Sequence, residues 1–487
     1  MGSPFAQNSG SAGSTESGLG RRDLIKRSAA LGLITVPTMG FLSACASSGG
    51  GTDDAQKETK GKATKDNPFG AQKNGLLDVV IFKGGFGDQY AIEWENAYKK
   101  EFGGKVSHLG TQEITGKLQP RFNAGTPPDV VCNSGAQQIK LDVLHKDKQL
   151  ADLTELLEAP SFDDPAKKVK DTLVPGTADK GFFDGKMYSL NYVYTVWGVW
   201  YSGKLFADKG WEVPKTWDAF LAIMQEAKKD KIGGLAHQGK HPYYINVMIM
   251  DLIAKTGGLD AMKAIDNLDP KAFVGSDAAT AAIEAIYEIV DKGLLLPGTN
   301  SLDHIESQTA WNKGKAVFIP SGSWLENEQL KQTPADFDMK FLPMPTLEGS
   351  QLPFEAIRAG AGEPFIVPEK AKNKAGGLEF MRRMLSKEWS TIFAQQANSL
   401  TIVQNGVDTS VELRPGTKSA VEAVAAAGTN TFDYFYTNWY SEMDETIRTA
   451  SAELMAKRIT PKEWLKRSQA AVDKAAKDPA SKNNKRP

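Results

Sequence analysis

The stretch that most constrains the fold is Leu76–Phe82, which reads L-L-D-V-V-I-F. A nearly continuous apolar run of this length is typical of a parallel strand that is covered on both faces. It ends in a glycine-rich loop, residues 83–88, and the following segment places Tyr90, Trp94 and Tyr98 on one helical face. This order of strand, loop and helix predicts an α/β unit whose loop, at the carboxyl end of the strand, is positioned to meet a ligand.

The same pattern repeats further along the chain. A second strand candidate, residues 105–108, leads to Gln112 and Glu113 and then a helix, and Val130–Cys132 ends in Asn133 and Ser134. Because helices alternate with strands, we predict a parallel-dominated α/β lobe with small and polar residues at the strand tips. The spacings of the dinucleotide and phosphate-binding glycine loops are absent, so the glycines are interpreted as room for a close ligand.

A third strand precedes an aromatic residue of particular interest. Residues 316–319 read A-V-F-I and run into Pro-Ser-Gly-Ser, which presents Trp324. The short β-rich run bounded by turn residues predicts a buried strand. Trp324 then either contacts a ligand beyond the strand end or fills a core, as large aromatic side chains usually do. Trp311, which precedes this strand, is predicted to be structural.

Aromatic residues also mark the connections between elements. Residues 183–190 predict a hairpin with an Asp-Gly turn. The aromatic β segment 191–201, which contains Tyr194, is a candidate crossover between two lobes. Tyr243 lies near a predicted helix start, and Trp439 belongs to the dense aromatic cluster 432–440.

The N-terminal segment predicts export rather than a membrane span. Arg21-Arg22 precedes an apolar run that ends in Leu-Ser-Ala-Cys45, and the run is shorter than the roughly 20 residues that a spanning helix needs. The twin arginine resembles a twin-arginine translocation signal, and the cysteine motif resembles a bacterial lipobox. We therefore predict a signal peptide over 1–45, a lipidated Cys45, a disordered polar tether over 46–74 and a frayed tail over 476–487.

Charge and motif content exclude several functions. The 487-residue chain has 58 basic and 59 acidic residues and a formal net charge of −1, which provides no basic field for nucleic acid. Five histidines are scattered without metal-ligand spacing, so no metal and no cofactor are predicted. Cys132 has no predicted partner and is expected to be a buried thiol.

Catalysis is the alternative that the motifs do not support. No nucleophile elbow occurs, but paired carboxylates could carry out glycoside hydrolysis. The acids at predicted strand tips are Asp88, Glu113, Glu326 and Glu363. The simpler interpretation, which we favour, is that they accept hydrogen bonds from ligand hydroxyl groups, so the protein is predicted not to be an enzyme.

Several motifs together carry a family resemblance. T-P-P-D-V, P-K-T-W-D and G-K-A-V-F-x-x-x-G-S-W follow the lipobox and the tether in this order. The chain thereby resembles the extracellular solute-binding proteins of carbohydrate ABC importers over essentially its whole length from Arg21. F-K-G-G-F-G, N-S-G-A-Q-Q and G-E-P-F-I-V-P are similar to the actinobacterial lipoproteins of this family that bind N-acetylglucosamine and N,N′-diacetylchitobiose.

The resemblance implies an α/β, two-lobed periplasmic-binding-protein-like fold. Each lobe is expected to be a parallel-dominated sheet flanked by helices, and hinge strands are expected to join the two. The first lobe would comprise residues 75–194 and about 358–428, and the second 195–357 and about 429–475. The sugar would lie between the lobes, which close over it.

The resemblance also implies a ligand site. Trp324 and Trp439 match tryptophans that stack on sugar rings, Tyr243 a third aromatic contact, and the first two strand tips supply polar contacts. The predicted ligand-binding residues are Phe86, Gly87, Gln112, Glu113, Asn133, Ser134, Tyr194, Tyr243, Trp324, Arg358, Glu363 and Trp439. The first loop departs from maltose-type relatives because it has no Asp-Lys pair, which leaves its polar contacts undefined.

The chemistry of sugars agrees with these residue types. A pyranose has an apolar face and a rim of hydroxyl groups, which suits a flat aromatic ring with polar groups at its edge. The expected partners are a mono- or oligosaccharide of the N-acetylglucosamine or chitobiose class, the permease subunits of an ABC importer and the outer face of the cell membrane through the lipid anchor. The protein is expected to be a monomer. A secreted glycoside hydrolase and a receptor for a different oligosaccharide, a peptide or a polyamine are the alternatives.

Overall fold

The structure, a computed structural model, describes residues 60–486. The strands are β1 (Leu76–Phe82), β2 (Lys105–Thr111), β3 (Val130–Cys132), β4 (Phe182–Phe183), β5 (Lys186–Met187), β6 (Leu190–Ser202), β7 (Gly233–Leu235), β8 (Ala316–Gly322), β9 (Met339–Leu342), β10 (Ile357–Ile366), β11 (Leu400–Thr401) and β12 (Thr431–Phe432). The predicted signal peptide, Cys45 and the first part of the tether lie outside the described residues.

Helices cover the faces of the sheet. The α-helices are α1 (Gln89–Phe102), α2 (Ile114–Asn123), α3 (Leu141–Lys146), α4 (Thr154–Glu158), α5 (Gly203–Lys209), α6 (Trp217–Lys229), α7 (Tyr243–Asp266), α8 (Asp277–Asp291), α9 (His304–Asn312), α10 (Leu325–Glu328), α11 (Lys374–Met384), α12 (Lys387–Ala397), α13 (Pro415–Ala427), α14 (Tyr436–Trp439), α15 (Ser441–Met455) and α16 (Pro461–Lys477). Among the described residues, no helix is both long and apolar enough to cross a membrane.

Two long strands organise the main sheet, whose order is β2-β1-β3-β10-β6-β8-β7. β1 pairs in parallel with β2 and β3, and β7 pairs in parallel with β8. β10 and β6 pair antiparallel with each other, and they also run antiparallel to β3 and β8, respectively. The predicted parallel pairing therefore holds for the outer strands, whereas the two long strands make the sheet mixed.

The long strands pass from one half of the sheet to the other. The start of β6 pairs with the end of β10 and with β11, whereas the end of β6 pairs with β8 and β9. The start of β10 pairs with β12, and its end pairs with β3. We call the part around β1, β2, β3 and β11 the first half and the part around β7, β8 and β9 the second half. The expected two-lobed α/β fold with connecting strands is confirmed.

Each half has aromatic residues in its core. In the first half, Trp94 is buried and stacks on Trp389 with ring centroids 5.7 Å apart and planes at 10°. In the second half, Trp311 is buried and its indole N–H donates to the carbonyl of Val317 at 3.1 Å. The structural role predicted for Trp311 is confirmed, and the Asp184-Gly185 hairpin joins β4 and β5 as predicted, with both residues at positive φ.

Three predicted boundaries need correction. The tail is not frayed, because the Arg486 guanidinium pairs with Asp266 at 2.9 Å and also donates to the carbonyl of Asp433. The tether ends before residue 74, because the Phe69 side chain is buried in the core of the first half. Helix α13, assigned to the first lobe by sequence, packs on β9 of the second half, where the Ser419 hydroxyl accepts a hydrogen bond from the Phe341 backbone.

Candidate ligand-binding cavity

A cavity of about 410 Å³ lies where the two halves of the sheet meet. Its wall combines the loops after β1 and β3, the middle of β6 and β10, the starts of α7 and α9, and the turn after β8. Apart from β6 and β10, these are carboxyl ends of strands and starts of helices, where backbone groups and side chains are free to meet a ligand. The volume falls in the range of small-molecule sites, about 300–1,000 Å³.

Trp324 is the centre of the aromatic wall. Its ring lies edge-on to Trp197, with centroids 4.6 Å apart and an interplanar angle of 86°. Phe86 of the first half approaches it at 6.3 Å and Tyr244 of the second half at 6.5 Å. Trp324 remains partly exposed, unlike Trp311. The ring is therefore held by aromatic neighbours while part of it faces the cavity.

Two glycines make room for the Trp324 ring. A side-chain carbon at Gly85 would lie 2.9 Å from the indole, and one at Gly322 would lie 2.1 Å from it. Both distances are too short for carbon atoms in contact, so neither position accepts a side chain without moving the tryptophan. The glycines in the loop after β1 and in the turn after β8 thus fix the placement of this ring.

A buried charge network forms another part of the wall. The Arg358 guanidinium donates to Asp433 at 2.9 Å, and Lys180 pairs with the same carboxylate at 3.1 Å. Arg358 also lies over the rings of Tyr434 and Trp197, at 4.0 and 4.9 Å from their centroids. Although burial opposes ionisation, the two cations hold the pKa of the Asp433 carboxyl below its usual value. The Asp433 carboxyl therefore favours its ionised form between the two cations, and the Arg358 guanidinium also contacts the face of the Trp197 ring.

Two further carboxyl groups line the cavity. Burial raises the pKa of Glu363 to about 7, and burial likewise raises the pKa of Glu328 to about 7. Glu363 lies beside Cys132, whose Sγ is 3.5 Å from Oε2, and Glu328 accepts from the Gln308 amide at 2.8 Å. Both groups can therefore exchange a proton near neutral pH and offer oxygen acceptors to a ligand.

The cavity brings together seven of the twelve ligand residues proposed from sequence. They are Phe86, Gln112, Ser134, Tyr243, Trp324, Arg358 and Glu363. They come from both halves of the sheet, which is the arrangement expected if a ligand is bound between two lobes.

The other five residues do not line this cavity, and the contacts of three of them show why. Trp439 is buried and its indole N–H donates to the carbonyl of Phe182 at 2.9 Å. The Asn133 amide is buried and bonds both backbone groups of Ile139, and Glu113 faces solvent beside Lys117. Gly87 and Tyr194 also fall outside the lining.

The remaining strand-tip acids have structural partners. Asp88 pairs with Lys83 at 3.1 Å and lies 3.4 Å from the His108 ring. Glu326 accepts the backbone N–H groups of Gly416 and Thr417 at 2.8 and 2.7 Å. Neither side chain lines the cavity.

Several cavity residues were missed by sequence reasoning. They are Lys180, Asn191, Thr195, Trp197, His241, Tyr244, His304, Glu328, Asp433, Asn438 and Arg448, together with glutamines of the loop after β3. Trp197 could have been found, because it lies in the aromatic segment that was interpreted as a crossover. Glu328 and Asp433 carry no local pattern that separates them from surface acids.

Metal ligation has no support in the part of the chain that the structure describes. Within residues 60–486, no group of three or more His, Cys, Asp or Glu side chains is arranged to hold a metal ion. Cys132 is a buried free thiol, and burial raises its pKa well above the usual value. The cavity can therefore offer aromatic faces, hydrogen bonds and ion pairs.

Comparison with known proteins identifies the family. The family model of the bacterial extracellular solute-binding proteins matches residues 87–391. The chain belongs to this family. It is 38% identical over 431 residues to the diacetylchitobiose binding protein NgcE of Streptomyces coelicolor, covering 87% of this chain and 89% of that protein. The multiple sugar-binding protein of Streptococcus mutans is 25% identical over 203 residues, covering 41% of this chain and 47% of that protein. As a member of an extracellular family, the protein is exported.

Solved structures agree on the fold. A chitin oligosaccharide binding protein superposes with a TM-score of 0.66 at 19% identity, covering 81% of this chain and 98% of that one. The solute-binding protein RafE in complex with raffinose gives a TM-score of 0.65 at 18% identity, covering 82% and 99%. At these identities the similarity concerns the fold alone.

Proposed function

We propose that the protein is the sugar-binding component of a carbohydrate ABC importer and that its ligand is N,N′-diacetylchitobiose, N-acetylglucosamine or a related oligosaccharide. The observation that carries the proposal is the partly exposed Trp324 ring at the meeting point of the two halves. A flat ring with polar groups around it complements the apolar face and hydroxyl rim of a pyranose. The name of the Streptomyces coelicolor relative supports the choice of sugar.

In this proposal the protein binds its ligand without chemical conversion. Membership in a solute-binding family supports this role. The buried carboxyl groups of Glu363 and Glu328 then serve as hydrogen-bonding groups for hydroxyl or amide groups of the ligand. Incubation of the protein with chitobiose and longer chitin oligosaccharides, followed by chromatography, is expected to return them intact; cleavage would instead support a glycoside hydrolase.

The proposal includes attachment to the outer face of the cell membrane. Cys45 of the lipobox would carry the lipid, and the polar segment after it would hold the binding body away from the membrane. The folded body would then present its ligand to the permease subunits as a monomer. Mass spectrometry of protein purified from membranes is expected to show a lipid-modified N-terminal Cys45, and Cys45→Ala is expected to release the protein from the membrane.

Calorimetric titration tests the ligand assignment. N-acetylglucosamine, chitobiose, cellobiose and maltose are compared under one set of conditions. The expected result is tight binding of the acetylated sugars and weak or no binding of maltose. A protein that binds maltose most tightly would contradict the ligand class, and a protein that binds no sugar would contradict the proposed function.

A further inference from the structure

Three polar residues of the cavity meet where β3, β6 and β10 come together. Asn191 on β6 pairs with Pro364 on β10, and the backbone N–H of Asn133 donates to the Pro364 carbonyl at 2.7 Å. Glu363 precedes Pro364 and Ser134 follows Asn133 in the chain. The strand pairing therefore brings the backbones of these residues together, and the side chains of Asn191, Glu363 and Ser134 all line the cavity.

The Asn191 side chain has an unused hydrogen-bond donor. The residue is 2% exposed, and its amide Nδ2 is buried without a partner. Among the residues that line the cavity, all within the described range, it is the one with such an atom. A buried N–H group without a partner is destabilising and calls for an explanation. A ligand acceptor in the cavity would satisfy it.

Glu363 supplies a complementary acceptor in an unusual backbone conformation. Its φ is +54°, in the left-handed region that residues other than glycine rarely adopt. Such conformations are costly and concentrate at functional sites. Its carboxyl group contacts Cys132 Sγ at 3.5 Å and the Ser134 hydroxyl. A carboxyl oxygen remains an acceptor whether the group is neutral or ionised.

An apolar surface adjoins these groups. The Phe82 ring lines the cavity and lies so close to Gly135 that a side-chain carbon there would be 2.2 Å from it. Ala361, two residues before Glu363, also lines the cavity. The wall at this point thus combines a free amide donor, a carboxyl acceptor and apolar surface.

We propose that Asn191 and Glu363, with Ser134 positioning the carboxyl group, form the subsite that binds the acetamido group of the ligand. This inference rests on the proposed function. An acetamido group has one carbonyl acceptor, one N–H donor and one methyl group. Asn191 Nδ2 donates to the carbonyl, Glu363 accepts from the N–H, and the methyl group packs near Phe82 and Ala361. A hydroxyl group at the same carbon of the sugar has its acceptor oxygen two bonds closer to the ring, so it does not place an acceptor where the acetamido carbonyl would meet Asn191.

The test compares chitobiose with cellobiose, which differ in bearing acetamido or hydroxyl groups at the second carbon of each ring. Calorimetry gives the ratio of the two dissociation constants for wild type, Asn191→Leu, Glu363→Ala and Trp324→Ala. Loss of one hydrogen bond of this kind is expected to reduce the preference for chitobiose about tenfold in each of the first two variants. Trp324→Ala is expected to weaken both sugars similarly and to leave the ratio unchanged.

The outcomes separate this inference from the proposed function. If wild type prefers chitobiose and both Asn191→Leu and Glu363→Ala retain the full preference, the subsite assignment is wrong while the sugar-binding function stands. If wild type binds cellobiose as tightly as chitobiose, no acetamido subsite exists. If wild type binds neither sugar, the proposed function is wrong, and the subsite inference is wrong with it. Thermal unfolding checks that each variant folds, and Asn191→Ala replaces Asn191→Leu if the larger apolar side chain prevents folding.

Discussion

At the scale of single residues, Trp324 is the contact on which the proposed sugar binding depends most. Truncation to alanine removes the ring face from the cavity and leaves Trp197 without its edge-on neighbour at 4.6 Å. We expect Trp324→Ala to weaken chitobiose binding by about 2–4 kcal/mol, as for a central aromatic anchor. Calorimetry measures the change.

The control for this variant is Trp211→Ala. Trp211 packs against Phe206 at 5.6 Å in the second half and does not line the cavity. Its truncation is expected to lower the thermal stability while the affinity for chitobiose stays near that of wild type. Wild-type affinity in Trp324→Ala would show that the ring contributes to packing alone.

The raised pKa of Glu363 predicts that the free energy of unfolding depends on pH. Its pKa is raised by burial from 4.5 to about 7, and Cys132, Ser134 and Tyr90 are the titratable or polar groups around it. Because the folded state binds the proton more tightly than the unfolded chain does, this group lowers stability as the pH rises from about 4.5 to about 7. Full ionisation costs at most about 3 kcal/mol.

We expect Glu363→Gln to remove this cost. The variant should be close to wild type in stability at pH 4.5 and more stable than wild type at pH 8, as measured by chemical denaturation at each pH. Glu113→Gln, at an exposed position, serves as the control and should change stability at neither pH. An equal effect of Glu363→Gln at both pH values would contradict the raised pKa.

The sequence patterns predicted part of the lining of the candidate cavity. Trp324 and Glu363 line it, and both follow turns or strand ends that leave a local pattern in the sequence. Trp439 lies outside the cavity lining, because an aromatic cluster in the sequence is equally compatible with a ligand and with a core, and the hydrogen bond to the Phe182 carbonyl forms only in the folded chain. Asp433 was missed because its partners Arg358 and Lys180 are distant in sequence.

At the scale of elements, helix α13 shows how one side chain fixes a helix start. The Glu326 carboxylate accepts two N–H groups at the first turn of α13 and the Thr417 hydroxyl at 2.9 Å. A negative charge is favourable at a helix N-terminus, and buried N–H groups without acceptors are costly. No sequence pattern indicates this pairing, because Glu326 and Thr417 of α13 are about ninety residues apart in the chain.

We expect Glu326→Ala to destabilise the protein by about 2–4 kcal/mol, because it leaves several buried donors unsatisfied. Chemical denaturation measures the loss. Glu412→Ala, at an exposed position shortly before α13, is the matched control and should change stability by less than about 0.5 kcal/mol. A loss in Glu326→Ala no larger than in the control would show that α13 does not depend on this carboxylate.

At the scale of the whole molecule, β6 and β10 connect the two halves, and the cavity lies between them. A ligand that contacts both halves stabilises an arrangement in which they are close together. We expect saturating chitobiose to decrease the radius of gyration measured by small-angle X-ray scattering. Maltose at the same concentration is the control, and an unchanged radius with bound chitobiose would rule out closure.

One hydrogen bond joins the two halves of the protein directly. The Asn327 amide in α10 donates at 2.7 Å to the carbonyl of Gly85 in the loop after β1, and Asn327 does not line the cavity. We expect Asn327→Ala, which also removes the acceptor of a hydrogen bond from Arg414, to weaken chitobiose binding by about 0.5–1.5 kcal/mol through loss of the bond to Gly85. Asn123→Ala, at an exposed position on α2, should leave affinity unchanged, and an unchanged affinity in Asn327→Ala would show that the bond does not contribute to binding.

The Asn327–Gly85 bond also has a consequence for energy use by the cell. Because the bond joins two protein groups and needs no ligand, it favours the closed arrangement of the ligand-free protein as well, and about 1 kcal/mol changes the closed fraction about fivefold. If the membrane complex of an ABC importer recognised only the closed shape, its encounters with ligand-free closed protein would lead to ATP hydrolysis without sugar transport. A stronger Asn327–Gly85 bond would therefore raise both the apparent affinity for the sugar and the ATP hydrolysis that is not coupled to transport. This sets an upper limit on how favourable the bond can usefully be.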